Sequence, residues 1–162
     1  MAAKERSTSR EPTIENRRAR HDYAIEDTLE CGLELLGTEV KSLRNSQVQL
    51  EQGFVMAKAV PVSLELHGVH IAEYPQALPQ HQHAPTRVRR LLAHKREIDK
   101  LATQQKAKGA SLIPLKIYFV KGRAKVLVGV GFGRKKGDKR EHIKEKEAKR
   151  DMQRATGARR RL

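Results

Sequence analysis

The sequence predicts a mainly β fold, a small antiparallel barrel, and three observations carry that reading. Residues 23–35 alternate between apolar and polar with a period of two. Residues 113–119 and 126–132 alternate in the same way on either side of Lys121-Gly122, the pattern of a hairpin. Residues 47–73 hold short β-prone runs broken by Gly53, Pro61 and Gly68. Closing several antiparallel strands into a barrel removes the unpaired edges that invite aggregation.

Taken in order, the first strand has Tyr23, Ile25, Asp27, Leu29, Cys31, Leu33 and Leu35 on one face and Glu26, Glu30 and Glu34 on the other. Gly37 then permits a turn and Thr38 can cap. Residues 39–44 put a carboxylate early and cations late, as the dipole of a short helix favours. The runs at 54–60, 62–66 and 69–72 read as three short strands in a meander. Residues 74–86, with Pro75, Pro79 and Pro85 among glutamines and histidines, have no period and read as a surface loop. From Arg87 onward Leu91, Leu92, Ile98, Leu101 and Ala102 recur at helical spacing, the opposite face is basic, and Gly109 is a natural stop. In the hairpin that follows, Ile113, Leu115, Ile117 and Phe119 share one face and face a partner strand carrying Val126, Val128, Val130 and Phe132. The barrel such strands would build is of the oligonucleotide-binding (OB) type. Residues 134–162 contain helix formers, but their apolar residues are Ile143, Met152, Leu162 and scattered alanines. A helix without a core-facing stripe is marginal alone in water, so this tail is expected to be disordered when free and ordered on a ligand. The organisation is therefore a flexible basic extension over 1–15, an OB-like barrel over 16–133 and a basic C-terminal tail over 134–162.

Charge narrows the function. The chain of 162 residues has 34 Lys and Arg against 19 Asp and Glu, a formal net charge of +15. Residues 1–20 contribute +3, residues 21–133 contribute +4 and residues 134–162 contribute +8. The middle block is itself polarised, with 3 cations against 8 carboxylates over 21–66 and 12 against 2 over 87–125. Basic segments bracketing a modest core repel one another unless a polyanion neutralises them, and a phosphate backbone does so. No apolar run approaches the roughly 20 residues that span a bilayer, and neither a secretory signal nor a myristoylation glycine stands at the start, where Ala2 is found. One cysteine, Cys31, gives no disulfide framework, which fits the reducing cytoplasm.

Motifs for catalysis are weak. The glycines at 129, 131 and 133 fit no phosphate loop, because Arg134 stands where the third glycine of the dinucleotide fingerprint would fall. They read as permitting a bulge or a tight bend. His81 with His83 and His67 with His70 have no cysteine pair beside them, and the loop of the first pair offers no carboxylate nearby, so they read as ordinary surface histidines and neither a metal nor a cofactor is expected. Glu26, Glu30 and Glu34 could serve a hydrolytic site, yet strand alternation alone puts polar groups there. The chain reads as a binding protein with no enzymatic activity.

Residues 16–23, Asn-Arg-Arg-Ala-Arg-His-Asp-Tyr, resemble the N-terminal signature of the bacterial tmRNA-binding (SsrA-binding) protein family, SmpB. The resemblance continues through Glu30-Cys31-Gly32-Leu33, residues 37–44, residues 90–98, residues 114–119, residues 122–126 and residues 133–145, covering about 14 to 150. It implies an OB-related barrel with about three flanking helices, and a role in trans-translation. The protein would bind the tRNA-like domain of tmRNA and deliver it to stalled 70S ribosomes for tagging of the nascent chain and ribosome rescue. Alanyl-tRNA synthetase and elongation factor Tu would be partners by way of tmRNA. By motif, Asn16, Arg17, Arg20, His21, Glu30, Leu92, His94, Lys95 and Lys125 would bind RNA. Arg134, Lys135, Lys136, Asp138, Lys139 and Arg140 would form the ribosome-binding tail, helical at the decoding centre. Glu30 is unexpected beside phosphate; it could accept from an exocyclic amine of a base, orient a neighbouring cation, or simply face solvent from its strand. Two departures stand out. Gly137 occupies a place where a stacking side chain is common in the family, and Ala84 one where a carboxylate often precedes the proline. The alternative is a general structured-RNA chaperone or a ribosome-associated protein, which would bind many structured RNAs with similar affinity.

Overall fold

The computed structural model describes residues 11–159. The elements are β1 (Ile14–Glu15), α1 (Arg17–Asp22), β2 (Tyr23–Leu33), α2 (Gly37–Arg44), β3 (Val48–Gln49), β4 (Phe54–Ala59), β5 (Val62–His67) and β6 (His70–Ile71). A 3-10 turn at Pro79–His81 follows, and then β7 (Arg89–Leu92), α3 (Lys95–Lys108), β8 (Ser111–Val120), β9 (Arg123–Gly133) and α4 (Lys136–Arg159). The fold is mainly β with four helices among the described residues, one more than expected.

The strands pair antiparallel in the order β1-β8-β4-β5-β7-β2-β9, and β8 also pairs with β9, which closes a ring. The ring is uneven. β2 with β9 and β8 with β9 make long ladders, whereas β4 meets β8 only at Val55↔Leu112, and β7 is held by two pairs on each side. The expected meander does not form. β4 and β5 are a hairpin, but β6 pairs with β3 in a separate ribbon, and β7 takes its place beside β5. The strand β7 also corrects the helix expected from Arg87. Arg89 and Leu91 are buried while Arg90 and Leu92 are exposed, a period of two, and α3 begins only at Lys95. Its end is as expected, with Gly109 left-handed at φ 61°.

Two bulges divide the apolar residues between two clusters. The register of β2 on β9 shifts between Ile25 and Asp27, and that of β8 on β9 between Pro114 and Lys116. A bulge turns every following side chain to the other face. Leu29, Cys31, Leu33 and Ile117 therefore join the main core with Val126, Val128 and Val130, while Tyr23, Ile25, Ile113 and Leu115 form a smaller outer cluster with Ala19. The single face expected for Ile113, Leu115 and Ile117 is split for this reason. Gly131 lies opposite the β2 bulge, where a Cβ would come within 2.5 Å of the Ala24 carbonyl oxygen, so the strands meet there only over a glycine.

Four more expectations change. Ile14 and Glu15 pair with Ile117 and Lys116, so ordered structure begins inside the segment assigned to a flexible extension, and residues 1–10 lie outside the described residues. Thr38 does not cap α2. The Glu39 side chain does so by accepting from Leu36 N at 2.7 Å, and Thr38 Oγ1 instead sits 2.8 Å from His83 Nδ1. His83 is buried, not a surface histidine, and its Nε2 donates to the Ile71 carbonyl at 3.1 Å. The tail, expected to be disordered when free, is the helix α4, which reaches back to touch α1. Among the described residues no helix is long and apolar enough to cross a membrane.

Candidate RNA interface

The candidate site residues fall at opposite ends of the β2–β9 ladder. Tyr23 pairs with Gly133 and Gly32 with Lys125. At about 3.3 Å per residue those two ends are about 30 Å apart.

At the Tyr23 end stands α1. Asn16 caps it, its Oδ1 accepting from Ala19 N at 3.1 Å, while its Nδ2 donates to the carbonyls of Leu50 at 3.2 Å and Pro114 at 3.1 Å. Asn16 is 4% exposed, and both its side-chain oxygen and its nitrogen are engaged by backbone partners. It is a positioning residue that pins α1 to β8 and to the loop after β3. Arg17, Arg20 and His21 are exposed, with Arg20 in the last turn, where a cation complements the helix dipole. His21 Nδ1 lies 3.0 Å from Asp22 Oδ1, so that nitrogen carries hydrogen, and Arg18 Nε donates to Asp22 Oδ2 at 3.1 Å. Arg134 N donates to the Asp22 carbonyl at 2.8 Å, tying the start of the tail to the end of α1. Lys135 and Arg140 are exposed, and the side chains of Lys136, Asp138 and Lys139 lie outside the described set. Gly137 faces open space, and a Cβ there would meet nothing within 4 Å.

At the Gly32 end the outer face carries Glu30, Tyr118 and Lys125. The Tyr118 hydroxyl donates to Glu30 Oε2, and Lys125 Nζ lies 3.5 Å from Glu30 Oε1. Lys116 Nζ stands 5.0 Å from the centre of the Tyr118 ring. The hydrogen bond from Tyr118, ahead of that from Lys125 and the charges of Lys125 and Lys116, holds the Glu30 carboxyl below the usual range. Burial, with the Glu30 carboxylate, pushes the Tyr118 hydroxyl up to about 12. Glu30 therefore orients a cation and a phenol. Lys125 also lines a cleft with Gly32, Leu92 and Phe119, and Leu92 is 51% exposed. A Cβ at Gly32 would meet the Leu92 Cβ at 3.2 Å, so the glycine leaves this leucine its room. His94 and Lys95 follow at the start of α3, both exposed, and His94 N donates to Glu97 Oε2 at 2.9 Å.

Behind that end lies a network that sequence reading missed. Glu39 and Arg89 are fully buried. Glu39 Oε1 accepts from Arg87 Nε and Arg89 Nε, each at 2.8 Å, and Oε2 accepts from Arg87 Nη2 at 2.6 Å. Arg89 also donates to the carbonyls of Val69, Arg87 and Pro85. Burial alone would raise the Glu39 carboxyl, but the hydrogen bonds from Arg87 and Leu36 N and the charge of Arg89 outweigh it and hold it below the usual range. The network welds α2, the 74–86 segment and β7 together and so sets where Leu92 stands. The run Arg89-Arg90-Leu91-Leu92 shows no alternation of polar and apolar residues, so nothing local in the sequence signals it. Tyr118 was legible, because counting outward from the Lys121-Gly122 turn pairs it with Lys125. Among the described residues no group of three or more His, Cys, Asp or Glu could hold a metal ion.

A family model described as SmpB protein matches residues 13–158. The chain is 48% identical over 141 residues to the SsrA-binding protein of Listeria welshimeri, covering 87% of this chain and 90% of that one. It is 48% identical over 153 residues to the SsrA-binding protein of Staphylococcus carnosus, covering 94% and 96%. A solved structure described as "tmRNA-SmpB: a journey to the center of the bacterial ribosome" superposes with a TM-score of 0.64 at 42% identity, covering 82% of this chain and 94% of that one.

Proposed function

This chain belongs to the SmpB protein family, and on that premise we propose that it binds the tRNA-like domain of tmRNA and delivers it to stalled 70S ribosomes for trans-translation. The observation that carries the reading is the Gly32 end of the ladder. There an exposed leucine, Leu92, and a lysine held in place by Glu30 and Tyr118, Lys125, line one cleft. An apolar surface beside an oriented cation suits an unstacked base next to its phosphate.

In this reading Arg17, Arg20 and His21 meet the same RNA at the other end, His94 and Lys95 extend the first contact, and Asn16 acts through α1. The ring of strands serves as the OB-like barrel over 16–133. The tail over 134–162 works on the ribosome, with Arg134, Lys135, Lys136, Asp138, Lys139 and Arg140 at the decoding centre. Its helix has no apolar face, with Met152 71% exposed, so its cations, not an apolar stripe, would hold it against ribosomal RNA. Alanyl-tRNA synthetase and elongation factor Tu are reached through tmRNA. The protein acts in the cytoplasm and carries no catalytic step of its own. Peptide tagging in a reconstituted translation system stalled on a message without a stop codon tests the proposal. Tagging should require both this chain and tmRNA, and tagging that proceeds at the same rate without the chain would refute it.

A further inference from the structure

Where α4 leans across the Tyr23 end of the sheet, the two enclose a cleft of about 630 Å³. Four permanent cations wall it, Arg20 from α1, Arg134 from the start of the tail, and Lys146 and Lys149 from α4, and Glu145 is the carboxylate among its lining residues. His142, Lys146 and Lys149 recur at i, i+4 and i+7, so they share one face of the helix, and that face looks onto the sheet. A helix that packs on a folded body normally turns apolar residues toward it. Here Ile143 is off that face and the cations are on it.

These cations are unmatched. None of the ion pairs among the described residues includes Arg20, Arg134, Lys146 or Lys149. The Nε of Arg134 is buried with no acceptor. A buried donor without a partner and a set of converging like charges are both unfavourable, and one ligand answers both, an anion with several acceptor oxygens. The floor between the cations is apolar, made by Tyr23, Ile25 and Leu115 of the outer cluster. We propose that this cleft binds a backbone phosphate of an RNA strand, with a neighbouring base against the apolar floor, and that the bound strand clamps the tail helix to the sheet. Arginine offers phosphate a forked pair of donors, and lysine adds charge from the helix side. The inference deepens the RNA-binding reading above and rests on it.

The experiment is equilibrium binding of the full chain to the tRNA-like domain of tmRNA across a salt series. Lys146→Glu with Lys149→Glu alters the cleft, and Lys144→Glu with Arg154→Glu makes the same charge change on the far face of the helix. The cleft pair should weaken binding about tenfold more than the far-face pair and lower the salt slope by about one unit more, as one lost phosphate contact requires. Equal losses in the two variants, or none in either, would overturn the cleft. Inorganic pyrophosphate is the second probe. It should compete only at concentrations far above those of the RNA, and displacement of the RNA by micromolar pyrophosphate would replace the strand with a free polyphosphate and overturn the proposal. If wild-type chain binds no RNA, both readings fall together. If it binds but the two faces behave alike, this inference alone falls.

Discussion

The two ends of the β2–β9 ladder handle charge in opposite ways. At the Gly32 end Lys125 is matched to Glu30, Lys116 lies over the Tyr118 ring, and Arg87 and Arg89 share Glu39 in the interior. At the Tyr23 end Arg20, Arg134, Lys146 and Lys149 gather with no ion pair among the described residues. Matched charges restrain side chains before any ligand arrives, which favours a defined contact, whereas unmatched ones await a counterion, which favours affinity for a polyanion. In the proposed reading one small domain thus separates the geometry of recognition from much of its electrostatic pull.

The sharpest way to break this comparison is to remove the buried acid. Glu39→Gln leaves two arginines without their carboxylate and should destabilise the protein by about 3 kcal/mol or more, read as a fall in thermal midpoint at pH 7. The exposed Arg20→Gln should leave that midpoint nearly unmoved, and an equal fall would show that the two ends are not different. The pH dependence has a definite sign. The Glu39 carboxyl is held below its ordinary value of 4.5, so its contribution is complete above that pH and is lost as pH falls through the depressed value. Glu39→Gln should therefore unfold with a flatter acid limb.

Removing residues 134–162 comes next in size. The sheet and its core should stay folded, because the segment buries little apolar surface. Affinity for the tRNA-like domain should drop about tenfold, the share of the cleft, while tagging on stalled ribosomes is lost. Lys125→Ala should weaken the same binding a few-fold and make its salt slope shallower by about one unit, measured by titration at several ionic strengths. The smallest effect is spectroscopic. Glu30→Gln should bring the ultraviolet titration of Tyr118 down from about 12 partway toward its ordinary value near 10, with no change in thermal midpoint.

Much of this was legible in the sequence wherever alternation and turn chemistry act locally. The β8–β9 hairpin follows from Lys121-Gly122 and alternate valines, and α3 stops at Gly109 because a left-handed residue was needed there. What failed was non-local. Bulges at Ile25/Asp27 and Pro114/Lys116 send residues of one parity to different cores, and strand alternation alone cannot locate such a slip. The run Leu91, Leu92, Ile98 mimics helical spacing although a strand ends and a helix begins within it. Of the site, the exposed cations and Leu92 were readable from motif and charge. The burial of Asn16 was not, because its partners Leu50 and Pro114 lie 34 and 98 residues away. Of the roles open to Glu30, its contacts with Lys125 and Tyr118 match the orienting of a cation.

Selection of a tRNA-like RNA by an oriented contact at one end and loose charge at the other is the joint consequence of the two ends in the proposed reading. It is tested most directly by comparing the affinity of the full chain for the tRNA-like domain of tmRNA with that for a plain RNA duplex of equal length at about 0.15 M salt, where nonspecific attraction is screened. The account predicts a preference of about a hundredfold or more for the tRNA-like domain, falling toward unity when Leu92 and Lys125 are both replaced by alanine. Equal affinity of the unaltered chain for the two RNAs would contradict it and leave a general binder of structured RNA.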